Sequence, residues 1–465
     1  MTDASRSDPL QGLMVSASGV RGIVGEALTP DVVLRVTAAH ASFLKPGPVV
    51  VGRDTRPSGD WISRFVHAVL VASGRDVVDV GIAPTPTVLF AIRHHDAAGG
   101  IAVTASHNPA PWNALKLFGP GGTFLTPAQS DEVARRAREG VRSWARHDGL
   151  GSFRTDDEAI RRHREAILAL PGLTPERIRA RRFRVAVDAV NGAGSIAGPA
   201  ILESLGCEVH AIHCTPDGKF PRVAEPLPEN LGDLGQAVRQ SGAAVGFAYD
   251  PDADRLAIVD ELGQPIGEER TVQIAVDWAL ARTPGTVVVN ASTSMGVETI
   301  AKRHGSTVLR SRVGEAHVAQ LLLEREGVIG GEGNGGVIYP ALHATRDGIL
   351  AAAITLDWLA QDSRPLSQRI AELPPLVMVK RTLSLRLTDA TALADTLQRT
   401  FPDAERNVLD GEKYLWEDGW VQVRASGTEP IVRIMAEAGS RARADDLVRR
   451  AADAVGRSQG SVAKA

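Results

Sequence analysis

The chain has 465 residues, 43% of them hydrophobic and 23% charged, with a formal net charge of −3. That length is more than one hydrophobic core fills, so two to four domains are expected, and the near-neutral charge offers no global field for nucleic acid. The polar opening MTDASRSDPL does not read as a signal peptide. The most apolar stretch, LAAAITLDWLA (350–360), is too short to span a bilayer and carries Asp357. Two cysteines, Cys207 and Cys214, cannot make a disulfide framework. They read as reduced structural thiols in a cytoplasmic protein with no membrane partner.

Taken in chain order, one theme recurs. An apolar, β-branched run ends in a turn of small polar residues, and a helical pattern follows. The runs are VVVGRDTRPSGDW from Val49, FRVAVDAVNGAGS from Phe183 and GTVVVNASTSMGV from Gly285. Continuous apolar strands suit sheets covered by helices on both faces, and their alternation with helices argues for α/β units. The spacing predicts helices over 61–73, with Gly74 as the stop, and over 126–140, with Thr126 as cap. After Pro374 and Pro375, LVMVKRTLSLRL reads as a strand, and a helix from Ser440 to Val455 closes a smaller unit. The expected fold is three related α/β domains with mixed sheets sandwiched by helices, plus a smaller C-terminal α+β domain. The expected boundaries are 1–155, 156–262, 263–372 and 373–465.

Four loops carry candidate chemistry. In TASHNP (104–109), Ser106 follows a buried strand and is placed as an exposed nucleophile, with His107 adjacent and Lys116 shortly after. The same letters also suit a plain polar turn, and no GxSxG elbow is present. In AYDPDADRLAIVDE (248–261), Asp250, Asp252 and Asp254 alternate. Three carboxylates cannot crowd together unpaired. A hard cation with all-oxygen ligands, Mg²⁺ or Ca²⁺, removes the conflict; a solvated acidic turn is the plain alternative. An EF-hand is excluded by Arg255 at the position needing glycine and by the strand-like AAVGFAY ahead. GVIGGEGNGGVIYP (327–340) sets Glu332 and Asn334 among glycines, suited to sugar hydroxyls or to a simple glycine-rich hairpin. In VQVRASGTEPIVRI (421–434), Arg424 can grip phosphate with Ser426, Thr428 and the amides around Gly427, unless the segment is a hairpin with a surface arginine. Together the four fit phosphoryl transfer on a sugar phosphate.

With SGVRGIVG (18–25) and GRDTRPSG (52–59) ahead of them, these loops resemble, in order and over the whole chain, those of the α-D-phosphohexomutase superfamily. That group interconverts hexose 6- and 1-phosphates and includes phosphoglucosamine mutase, phosphomannomutase and phosphoglucomutase; the resemblance implies that the four domains stand around a central cleft. The resemblance implies that Ser106 is the phosphorylated serine, that Asp250, Asp252 and Asp254 together with Ser106 hold Mg²⁺, and that Arg255 neighbours the transferring group. It further implies that Lys116 serves acid–base work, with His107 beside it, and that Arg21 lines the site. Glu332 and Asn334 would meet sugar hydroxyls; Arg424, Ser426, Gly427 and Thr428 would hold the distal phosphate. Hexose 1,6-bisphosphate would be activator and intermediate, a small phosphosugar the only partner, and the molecule a monomer or homodimer. Glucosamine phosphate is the expected substrate, with a dual-specificity phosphomannomutase/phosphoglucomutase as the alternative. The sugar loop departs from the usual GExSGH: serine becomes Asn334 and the histidine place holds Gly336, so that histidine's role cannot be carried over, and His343 is a candidate substitute. A metal-dependent sugar phosphatase and a non-catalytic sugar-phosphate sensor are the rival classes.

Overall fold

The computed structural model describes residues 8–140, 142–426 and 431–460. Gly427 and Thr428 of the expected phosphate clamp lie outside that set.

The strands form four sheets. Three share one central plan. In the first, Val77–Ile82, Val49–Arg53 and Gly99–Val103 run parallel, and Trp112–Gly119 returns antiparallel beside the last. In the second, Glu208–Ile212, Arg184–Asp188 and Val245–Tyr249 are parallel and Leu256–Asp260 returns. In the third, Thr307–Ser311, Thr286–Asn290 and Ile329–Glu332 are parallel and Gly336–Tyr339 returns. The recurring sequence theme is therefore a recurring topology. Its consequence is positional: the hairpin joining the third and fourth strand of each unit is TASHNP in the first, DPDADR in the second and the GEGNGG turn in the third.

Alternation explains why the apolar runs are continuous. Val49 and Val51 point into a core shared with the helices Pro30–Phe43 and Pro57–Ala72, whereas Val50 points into a second core with the helix Thr85–His94. Both faces of the strand are covered, so every position must be apolar. The helix Pro127–Glu139 has the predicted start and stop. Thr126 and Gln129 form a reciprocal capping box, and Gly140 ends the helix in the left-handed region at φ 69°. The short strand Phe153–Thr155 pairs with the edge of the first sheet.

The apolar run near 350 is the helix Gly348–Ala360, buried over its whole length. Its one charge is matched internally: Asp357 accepts from Trp278 Nε1 at 2.8 Å, Arg282 at 2.8 Å and Arg177 at 3.0 Å. No helix of the described residues is long and apolar enough to cross a membrane. The fourth sheet is antiparallel throughout, with Val377–Leu383 at one edge. Its core includes residues of the helices Ala390–Thr400 and Arg441–Gly460. It is fastened to the third unit by Lys413 Nζ on the Ala291 carbonyl at 2.6 Å, by Ser292 Oγ on Gln422 at 2.7 Å and by the Met295 amide on Glu437 at 2.7 Å.

Candidate active site

The loop after Gly99–Val103 is bent sharply. Ser106 has φ 49°, a left-handed conformation that costs a non-glycine residue about 1–2 kcal/mol. A buried cation holds the bend in place. Arg56, fully inaccessible, donates to the carbonyls of Ser106 at 2.6 Å, Asn108 at 2.7 Å and Pro109 at 2.8 Å. Its Nε is paired with Asp54 at 3.0 Å, and Asp54 in turn accepts from Thr104 at 2.7 Å. In GRDTRPSG the one signal for Arg56 is an arginine just after a strand, in a turn of otherwise small and polar residues.

The bend delivers Ser106 Oγ to Asp250 Oδ2 at 2.8 Å. His107 Nδ1 stands at 3.5 Å from the same hydroxyl. The charge of Arg255, then burial, push the His107 ring down to about 2, so it is neutral near pH 7. Arg21, on the strand Gly19–Ile23, donates to Asn108 Oδ1 at 2.6 Å and so braces the serine loop.

The three aspartates follow the strand Val245–Tyr249, and all are buried. One carboxylate oxygen from each lies within 4.8 Å of those of the other two. Lys116, buried on the returning strand of the first unit, donates to Asp252 Oδ2 at 2.6 Å and Asp254 Oδ2 at 3.3 Å. Burial opposes the ammonium charge, but Asp252 and Asp254 outweigh it and raise the Lys116 pKa. Burial likewise lifts Asp252, but Lys116 overrides it and holds that carboxyl well below the usual range. Asp250 has no ion pair of that kind among the described residues, although the charge of Arg255 acts on it. Burial, then the charges of Asp254 and Asp252, drive it well up. Asp252 Oδ1 and Asp254 Oδ1 are buried without a hydrogen-bond partner among the described residues. Unpaired buried carboxylate oxygens are costly, and an all-oxygen donor set of this kind fits a hard divalent cation. The acidic triad is thus able to hold a metal.

Four family profiles match the chain in order. They describe phosphoglucomutase/phosphomannomutase α/β/α domain I at residues 12–142, domain II at 162–263, domain III at 268–377 and the C-terminal domain at 384–454. The chain belongs to the phosphoglucomutase/phosphomannomutase family. Among its relatives, a Thermococcus kodakarensis phosphoglucomutase/phosphomannomutase is 38% identical, covering 94% of this chain and 97% of its own. A Methanopyrus kandleri protein named "Probable phosphoglucosamine mutase" is 37% identical, covering 94% of this chain and 96% of its own. A crystal structure of a phosphoglucomutase/phosphomannomutase family protein from Burkholderia thailandensis superimposes with a TM-score of 0.84 at 29% identity, over 97% of this chain and 98% of that one.

In this phosphoglucomutase/phosphomannomutase family member the third loop joins the same cluster through a residue that sequence reading missed. Arg346, at the end of the strand His343–Arg346, is paired with Asp254 at 2.7 Å, Glu332 at 2.9 Å and Glu315 at 3.0 Å. Glu332 is buried and also accepts from Asn290 at 2.8 Å and from the Gly314 amide at 3.0 Å. Three of a carboxylate's roughly four acceptor positions are then in use. Asn334 accepts from the Gly336 amide at 3.3 Å within the turn. A Cβ on Gly336 would come within 2.2 Å of Arg346 Cδ, so the arginine stem fills the space a side chain there would need.

His343 is not the substitute for a histidine at 336. Its Nε2 bonds Asp347 Oδ2 at 3.0 Å, in a separate buried cluster with His163. Arg255, buried beside the triad, donates to Glu225 at 3.1 Å. In the fourth unit, Arg424 is paired with Asp410 at 3.1 Å and the Ser426 amide with the Ile431 carbonyl at 2.9 Å. A cavity of about 710 Å³ opens beside the serine loop, lined among others by His107, Pro109, Phe220 and Arg222. Both cysteines are free, and burial pushes their thiols up, Cys207 to about 12 and Cys214 to about 11.

Proposed function

We propose that this chain interconverts hexose 6-phosphates and hexose 1-phosphates through a phosphoserine at Ser106 and a hexose 1,6-bisphosphate intermediate. The observation that carries the reading is the meeting of a strained serine hydroxyl with a buried aspartate triad, 2.8 Å from Ser106 Oγ to Asp250. A plain polar turn has no need to hold its serine against three carboxylates.

In the phosphorylated enzyme the Ser106 Oγ–phosphorus bond breaks as a sugar hydroxyl oxygen bonds to phosphorus. The bisphosphate turns over, and its other phosphate returns to Ser106 Oγ. Asp250, Asp252 and Asp254, with Ser106 Oγ, would hold Mg²⁺, which supplies charge stabilisation to the transferring group when bound. Lys116 carries its proton on Nζ beside the triad and gives it to the departing serine oxygen, regaining one from the proton the attacking sugar hydroxyl releases; in the return transfer the proton passes the other way, from the Ser106 hydroxyl through Lys116 to the departing sugar oxygen. Arg21 keeps the serine loop in register through Asn108. Glu332 retains one acceptor position for the sugar, and Asn334 presents its amide from the same turn. Arg424, Ser426, Gly427 and Thr428 are assigned the phosphate that is not reacting, whose binding positions the reacting end.

Within that class we favour glucosamine phosphate, because an anionic Glu332 suits a 2-ammonium group. Dual specificity for glucose and mannose phosphates is the second reading, supported by the 38% identical relative named phosphoglucomutase/phosphomannomutase. The test is a mutase assay with Mg²⁺ and a trace of glucose 1,6-bisphosphate, comparing glucosamine, glucose and mannose 6-phosphates by kcat/KM. Ser106→Ala is expected to abolish isomerisation of whichever sugar is preferred. Near-normal turnover by that variant rejects the phosphoserine, and release of free phosphate in place of isomer marks a phosphatase.

A further inference from the structure

Arg346 links two loops that do different work. It is the one cation among the described residues that pairs with both an aspartate of the triad and the acid of the sugar loop. We propose that Arg346 is a positioning residue that sets Glu332 for the sugar ring while tempering the affinity of the aspartate triad for a divalent cation; this rests on the mutase reading above.

Three observations support it. The guanidinium is used as a fork: Nε takes Glu315, Nη1 takes Glu332 and Nη2 takes Asp254. Such planar, multidentate pairing fixes carboxylate orientation in a way a lysine point charge cannot. Next, the stem is locked from behind. The approach of Gly336 leaves no room for a side chain there, so the arginine has one course across the hairpin. Last, the pairing is selective by atom. Arg346 takes Asp254 Oδ2 and leaves Oδ1 without a hydrogen bond, with Arg255 Nε at 3.8 Å, and it takes Glu332 Oε2 while Asn290 and Gly314 take Oε1.

The two roles predict effects of opposite sign. Removing a positive charge next to Asp254 should tighten divalent cation binding, because like charges repel across a poorly screened site. Removing the fork should free Glu332 and weaken sugar binding. A merely structural arginine would loosen both. The experiment measures Mg²⁺ dissociation constants by calorimetry, with no sugar present, and KM and kcat for the preferred hexose 6-phosphate. Arg346→Gln should bind Mg²⁺ about five- to tenfold more tightly and show a KM raised about tenfold or more. Arg346→Lys should leave Mg²⁺ affinity near wild type yet share most of the KM defect. Gly336→Ala, which displaces the stem without changing any charge, should raise KM with little effect on Mg²⁺ and supplies the test if Arg346→Gln does not fold. Weakening of both ligands together, or no change in either, overturns the proposal. Wild-type turnover measured alongside separates that result from failure of the mutase reading, in which no hexose phosphate is isomerised at all.

Discussion

Lys116 is the residue on which the aspartate triad depends most directly. It is buried between Asp252 and Asp254, where an uncompensated carboxylate costs several kcal/mol. Lys116→Met should therefore destabilise the metal-free protein by about 3 kcal/mol or more, read by urea unfolding in a chelator. Millimolar Mg²⁺ should restore part of that loss, and a variant as stable as wild type in chelator would contradict the ion-pair role. The serine, the lysine and the three acids were legible in the letters because their chemistry is unusual for a turn. Their organisers were not. Arg56 reaches Ser106 across 50 positions and Arg346 reaches Asp254 across 92, and nothing in a linear pattern reveals a partner at that range. The suggestion of His343 failed for a related reason: nearness in sequence to the sugar loop says nothing about which side of the strand a ring occupies.

At the scale of elements, continuous apolar runs predicted the strands well because both sheet faces are covered, and Thr126 and Gly140 predicted a helix from its ends. Less visible was the burial of polar residues inside regular elements. His40, in the helix Pro30–Phe43, is fully inaccessible and lies against the strands at Gly100 and Phe118. Burial pushes its ring from the ordinary 6.5 down to about 4. A histidine held neutral in the fold takes up a proton more readily when unfolded. Its contribution to stability is complete above about pH 6.5 and is lost as pH falls toward 4. The cost at the acid end is on the order of 3 kcal/mol. His40→Leu should flatten the decline in unfolding free energy between those pH values, and an unchanged slope would assign the acid sensitivity to other groups.

For the whole molecule, two clusters each join side chains from all three repeated units. One is the Ser106–Asp250–Arg346 cluster. The other is Asp347, which accepts from His163 at 2.9 Å and His343 at 3.0 Å while capping the helix Gly348–Ala360 through the amides of Ile349 and Leu350. His163 also bonds Thr87 of the first unit at 2.9 Å. Burial alone would raise the Asp347 carboxyl, but the two histidines hold it far below its ordinary range. Asp347→Ala should cost about 3–5 kcal/mol through the lost cap and the orphaned rings. Because the junction joins separate sheets, calorimetric unfolding should also broaden or split. A single sharp transition at the wild-type temperature would show the junction to be energetically silent. Gly336 and Arg346 have a longer reach. A side chain added at 336 meets the arginine stem, and loss of the arginine leaves three acids facing one another. Neither position can drift alone without loss. The two form a mutational lock, and a lineage carrying it reaches another sugar-loop composition by changing both sites or by passing through an impaired ancestor.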